Sequence, residues 1–360
     1  MLRSHLTVAG CLAAALLSVT GCGSTETPET APDQTGKVPP KPPAEHPGDG
    51  PGVVIAIDKL FLGETNRDGS PNKTNGWKQY GFNLDGKIST TESKDLCKPA
   101  AGAAPATIYP DGEQGIDNSF GKNILSIILG LEPAPSTAIN ESISEGSFTV
   151  MFDIQGLGSG TEYNPLTTRL YAGAELVDAT GASMAPKWDG TDMWPVRPEL
   201  LNDPTDITSS KVVFPQSYVV DNTWVSGTPG SVNLSLSVSG YALNLTISQA
   251  TMSMDFDADH KGAVNGTIAG VLETEVLITE LKKVVGGFQP SLCEGSTIEG
   301  ILNQIRQASD IMKDGTQDPA QTCNGISIGL GFSGQAVQLG DIAAASEPQP
   351  DPCAPAPAGG

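Results

Sequence analysis

The chain has 360 residues, with 20 Lys and Arg against 41 Asp and Glu, a net charge of −21 and three His. That balance excludes a surface built to grip phosphate backbones, which needs clustered Lys and Arg, so nucleic acid is not expected as a partner. Three imidazoles leave little for a histidine metal site. Glycine (42) and proline (28) make the chain rich in turns, yet apolar residues at 38% suffice for a core.

Met1 to His5 forms a short leader with one firm positive charge, Arg3, and Leu6 to Val19 is apolar or small throughout. As a helix that run rises about 21 Å, too little for a ~30 Å hydrocarbon core. Val19-Thr20-Gly21-Cys22 closes it. This order of charge, apolar run, small residues and Cys resembles the lipobox of bacterial lipoproteins. The resemblance implies that residues 1–21 are a signal peptide, that the Cys22 thiol carries diacylglycerol, and that the new amine is acylated too. Gly23 follows, not the Asp that retains many such proteins at the inner membrane. The expected location is therefore the cell envelope, and the outer membrane where the cell has two. Without residues 1–21 the chain carries 19 basic and 41 acidic residues, or −22. Such a charge is repelled by anionic lipid, so the membrane is a partner through the acyl chains alone.

Residues 22–52 are rich in Pro, Thr, Glu and Gly and nearly devoid of apolar residues, which predicts a lipidated tether of extended chain. Residues 53–342 read as a folded domain. Val53 to Ile57 reads as a first strand, followed by candidates at 146–154, 168–177 and 211–220. Val232, Leu234, Leu236 and Val238 share one face with Asn233, Ser235 and Ser237 on the other. Tyr241, Leu243, Leu245 and Ile247 repeat the pattern, which slips by one near Gln249-Ala250 before Met252, Met254 and Phe256 resume it. Such a slip requires a turn or β-bulge. The period then changes. Leu277, Ile278, Leu281, Val284 and Val285 predict a helix near 271–286, and Ser296-Thr-Ile-Glu299 reads as a capping box opening a second near 297–313. The predicted fold is mainly β, an antiparallel sandwich wet on one side with a small C-terminal segment of two helices. Residues 343–360 form a Pro-rich tail.

Four cysteines remain after Cys11 and Cys22: Cys97, Cys293, Cys323 and Cys353. In an exported protein they predict two disulfides, with three connectivities open. Cys293 and Cys323 flank the second helix, so the expected pairing is Cys293 with Cys323 and Cys97 with Cys353. Zinc is disfavoured because the cysteines lack paired spacing and His260 is the sole histidine of the folded region.

Two patterns near the C-terminus invite enzymatic readings. Gly325-Ile-Ser327-Ile-Gly329 fits a nucleophile elbow, but no helix former follows and no His lies downstream. Gly329-Leu-Gly331-Phe-Ser-Gly334 fits a dinucleotide fingerprint without a βαβ context. Both are better read as a Gly-rich closing strand where backbones pack closely. Asp111, Glu113, Asp117 and Asn118 set four oxygen-bearing side chains in eight residues, which makes calcium the candidate cofactor. The run resembles single copies of the Asp/Asn-rich calcium repeats of extracellular proteins. Trp188, Asp189, Asp192 and Trp194 pair two flat rings with two carboxylates, the chemistry of a sugar-contacting surface. His260 reads as solvated at a hairpin tip. No catalytic residue is assigned. The expected function is a membrane-anchored lipoprotein displaying a non-enzymatic binding or structural domain, with an envelope glycan or protein as partner. An envelope hydrolase working through carboxylates, or a lipid carrier, are the alternatives.

Overall fold

A computed structural model describes residues 36–131, 133–238, 241–288, 290–345 and Cys353. The expected signal peptide, Cys22, the start of the tether and most of the tail lie outside these residues.

Among the described residues the chain forms ten strands: β1 (Val53–Phe61), β2 (Thr149–Gln155), β3 (Tyr163–Gly173), β4 (Met193–Val196), β5 (Val212–Val220), β6 (Thr223–Val225), β7 (Gly230–Val238), β8 (Tyr241–Phe256), β9 (Gly262–Glu273) and β10 (Gly325–Ile342). The protein is mainly β, as expected, but its strands belong to one sheet. Antiparallel pairs run β1, β2, β3, β5, β6, β8, β9, β10 and back to β1, so the sheet closes like a barrel. A sandwich would leave two sheets with open edges. The difference lies in β10, whose 18 residues pair with β9 on one side and with β1 on the other, joining the first strand to the last. β7 extends along β8, and β4 runs parallel to the far end of β10.

Alternate positions explain the two cores. Ile55 and Ile57 of β1, Phe152 and Ile154 of β2, Met252 and Met254 of β8, Ile268 of β9 and Ile328 to Phe332 of β10 share one buried cluster. Phe152 stacks on Phe332 at 5.5 Å and meets Trp224 edge-on at 5.5 Å. Deleting such a ring typically costs about 3–5 kcal/mol. The opposite parity (Ala56, Met151, Tyr171 and Val337) is not wet. It packs with Leu176, Trp194 and Val196 into a second cluster beneath the connection between β3 and β5. The slip in β8 is a bulge: its register with β9 jumps between Ser248 and Thr251, and Gln249 takes a left-handed φ of 52°. The bulge keeps Ile247 and Met252 both buried.

Five α-helices are described: α1 (Pro105–Ile108), α2 (Leu125–Leu131), α3 (Pro135–Ser144), α4 (Thr274–Phe288) and α5 (Ser296–Gln307). The first three were not anticipated, although Pro135 in the first turn and Ile139 with Ile143 four residues apart mark α3. The two C-terminal helices stand near their expected places, with α4 starting at Thr274 because β9 continues to Glu273. The capping box does not form: Gly295, at φ 102°, is the N-cap of α5 and Ser296 is already inside the helix.

Residues 36–52 correct the expected tether. Asn83 N–H donates to Gly36 O (2.8 Å), Tyr218 OH to Pro39 O, and Asn164 Nδ2 to Pro42 O (2.8 Å) and Ala44 O (3.1 Å). Proline lacks a donor but keeps its carbonyl, so a Pro-rich strap is seated by donors from the body. The disulfides also differ from expectation: Cys97 pairs with Cys323 and Cys293 with Cys353. Flanking one helix does not bring Cys293 to Cys323. Backbone pairing instead sets Lys98 against Gln321 and Cys323, which aligns Cys97 with Cys323.

Cys97 and Cys323 are buried, whereas Cys293 and Cys353 are half-exposed. Under mild native reduction, alkylation followed by peptide mass mapping is expected to label Cys293 and Cys353 before Cys97 and Cys323. Gly329→Ala would drive a methyl group into the Tyr80 carbonyl and is expected to cost about 1–3 kcal/mol in urea denaturation. Gly300→Ala, in open space on α5, is expected to gain up to about 1 kcal/mol in the same measurement.

Candidate functional site

The most densely linked polar region lies on the edge of β10. β1 ends at Phe61 opposite Gly331, so the main-chain groups of Gly325, Ser327 and Gly329 on that side have no strand to pair with. Other parts of the chain replace it. Gly325 exchanges hydrogen bonds with Ile311, donating at 2.9 Å and accepting at 3.4 Å. Ser327 N–H donates to Asp310 Oδ1 at 2.9 Å, and its hydroxyl to Asp310 Oδ2 at 2.6 Å. Asn118 then imitates a peptide: its Oδ1 accepts from Gly329 N–H (3.0 Å) while its Nδ2 donates to Gly329 O (3.0 Å). The same amide reaches Trp77 O, Tyr80 O and Gly121 N–H. Gly329 and Gly331 let Tyr80 lie directly on the strand, since a Cβ at either place would overlap it.

Carboxylates gather around this seam. Asp117 Oδ2 accepts from Leu84 N–H (2.7 Å) and Asp85 N–H (3.3 Å), and Asp111 accepts from Ser89 N–H. Gln317 Nε2 donates to both Asp85 Oδ2 (2.9 Å) and Asp310 O (3.1 Å). Burial pushes the Asp111 carboxyl up to about 7, with Asp85 and Asp310 adding to the rise against the pull of Ser89 and Lys122. Burial also lifts Asp310 to about 7, opposed by its Ser327 bonds. Asp117 is driven well above the carboxylate range by burial, then by Asp85, Asp111 and Asp310. Lys122 is held below its ordinary value by burial. Carboxyls that carry a proton near neutrality suit acid–base chemistry, but here Asp111 and Asp117 accept from backbone amides and Asp310 from the amide and hydroxyl of Ser327.

The calcium candidates do not converge. Asp117 and Asn118 are buried and turned to the backbone groups just named, Asp111 turns to Ser89, and Glu113 is exposed. Among the described residues no group of three or more His, Cys, Asp or Glu is placed to hold a metal ion. Of the Trp-Asp set, Trp194 is fully buried with Trp188 half-buried beside it, ring centroids 6.0 Å apart. Asp192 is buried and accepts from Lys187 and Trp188 N–H, while Asp189 is exposed and closes a turn onto Thr191. The set thus divides into a structural half and a surface half. His260 is buried rather than solvated: Nδ1 lies 2.8 Å from Gly158 O, Nε2 lies 3.2 Å from Asn222 Oδ1, and the ring packs on Phe256. Ser327 lies inside β10, so neither the elbow nor the dinucleotide turn exists there. A groove of about 280 Å³ opens between β5 and the start of β7, where Pro215 and Pro229 withhold ladder donors.

Sequence reasoning singled out Asp111, Asp117 and Asn118 but missed Asp85, Asp310 and Gln317. Asp310 follows a helix by three residues and Gln317 sits in an irregular stretch, so no local periodicity marks either. Asn118→Ala would leave several buried main-chain groups unpaired, and a loss of about 2–4 kcal/mol is expected in denaturant titration. Added calcium and added chelator are expected to leave the thermal midpoint in the same place. Comparisons with protein-family profiles, curated proteins and solved structures find no match to this chain.

Proposed function

We propose that the protein is an exported, lipid-anchored component of the bacterial cell envelope whose β-rich body acts as a non-enzymatic binding or structural domain. The lipobox-like run Val19-Thr20-Gly21-Cys22 carries this reading. Two disulfides taking up Cys97, Cys293, Cys323 and Cys353 support it, because such bonds persist in oxidising compartments. Acylation at Cys22 would supply attachment that this acidic chain lacks, and among the described residues no helix is long and apolar enough to cross a membrane.

The seated strap bears on presentation. With residues 36–52 fixed to the body, at most residues 22–35 serve as spacer, roughly 45 Å if fully extended as polyproline. The body would then stand close to the bilayer. Half-buried Trp188 beside exposed Asp189 supports an envelope glycan or protein as partner. The filled interior around Phe152, Trp224 and Phe332 gives no support to the lipid carrier. The hydrolase draws on Asp111 and Asp310, whose carboxyls lie near neutrality.

Mass spectrometry of protein isolated from membranes is expected to show a mature N-terminus at Cys22 with diacylglyceryl and acyl additions. Cys22→Ser is expected to move the protein from the membrane to the soluble fraction. A chain starting at Met1, or a bare thiol at Cys22, would refute the proposal.

A further inference from the structure

Residues 38–43 of the strap read Val-Pro-Pro-Lys-Pro-Pro. Four are prolines, with φ fixed by the ring, and Val38 and Lys41 each stand directly before one, which pushes them to extended values. This is the backbone of a polyproline II helix, which repeats every three residues and makes no internal hydrogen bonds, leaving its carbonyls to outside donors. The docked strap keeps that period. Gly36 and Pro42 are buried and Pro39 is half-buried, while Lys37, Val38, Pro40, Lys41 and Pro43 are exposed. The same three residues supply the acceptors: Gly36 O takes Asn83 N–H, Pro39 O takes Tyr218 OH, and Pro42 O takes Asn164 Nδ2.

Two of these donors stand on paired strands. Tyr163 of β3 pairs with Val219 of β5, so Asn164 and Tyr218, the next residue inward on each strand, are neighbours. Gln216, two residues before Tyr218, accepts from Lys41 Nζ at 3.2 Å. Asn164 exchanges main-chain hydrogen bonds with His46 at 2.7 Å, and its Nδ2 also holds Ala44 O at 3.1 Å. Among the described residues the buried Asn164 Oδ1 takes no donor, so every hydrogen bond of this side chain goes to the strap.

We propose that β3 and β5 carry a recognition site for a proline-rich extended peptide, with residues 36–46 as its resident ligand, bound in cis. The donors meet carbonyls, which any sequence offers. Selectivity comes from the shape that prolines fix, because a ligand ordered in advance loses little entropy on binding. Gly50 and Gly52, bonded to Gly156 O and Leu157 O, join the strap to the body just beyond the site. The strap therefore acts at an effective concentration on the order of millimolar, and a free peptide of the same chemistry competes with it. The site does not depend on acylation at Cys22.

Fluorescence anisotropy with a labelled synthetic peptide of residues 36–46 tests this on the full chain. Pro39→Gly, Pro40→Gly, Pro42→Gly and Pro43→Gly together keep every strap carbonyl but release the fixed φ, which weakens the cis ligand. The peptide is expected to bind that variant at least about tenfold tighter than the wild type, whose own strap competes. Adding Tyr218→Phe removes one donor and is expected to weaken peptide binding about three- to tenfold. Equal binding to the wild type and the glycine variant would overturn the site. So would an unchanged affinity with Tyr218→Phe, or equal binding of a peptide whose four prolines are glycine. Should the glycine variant not fold, the nitrogen-15-labelled wild type is titrated with unlabelled peptide to about 10 mM, above the effective concentration of the strap. Saturable movement of the His46 amide resonance supports the site, and a fixed resonance overturns it.

Discussion

The structure depends on how one long strand is covered along its far edge. β10 closes the sheet by pairing with β9 from Gly325 to Gln335 and with β1 only from Gly331 onward. A strand edge left open is a template for association, and unpaired main-chain groups kept from water cost free energy. Here the uncovered length is filled by a short backbone bridge at Ile311 and by two side chains, Asp310 and Asn118, that act as surrogate peptide groups. Everything seated against that edge follows. Tyr80 can lie on the strand only because Gly329 and Gly331 have no side chains, and Asn118 pairs with the donor and acceptor of Gly329 that no strand takes up.

Substituting side chains for a strand brings acids into a poorly hydrated place. Asp85, Asp111 and Asp310 come from distant parts of the chain, yet all three raise the proton affinity of Asp117. The Cys97–Cys323 bond lies beside this seam, with Cys97 N–H donating to the same Gln317 that links Asp85 to Asp310. A covalent tie at that position holds the segment around Cys97 to the segment that precedes β10. The stabilising and destabilising elements of the region are thus adjacent.

The seated strap changes how an anchored body would be presented. A free tether would let the domain sample a wide volume, whereas residues 36–52 are bound to β3, to β5 and to Gly156 and Leu157 after β2. Proline-rich composition sets the extended conformation, and the docking comes from donors such as Asn164 and Tyr218 that belong to the body. Asn164 alone receives and gives at His46 while its side chain holds Pro42 and Ala44.

The amino-acid sequence by itself determined the period-two strands, the one-residue slip in β8 and the stripes of α4 and α5, because each arises from apolar spacing within about a dozen residues. It also carried the lipobox-like run, which is local chemistry, and the Gly-rich character of β10. Only the tertiary structure decided that the strands close on one another, that Cys97 meets Cys323, and that His260 and Trp194 are buried. It also decided that Asp117 and Asn118 serve a strand edge instead of meeting with Asp111 and Glu113. These outcomes depend on which distant segments share a neighbourhood, and a pattern read along one stretch of chain holds no information about its partner.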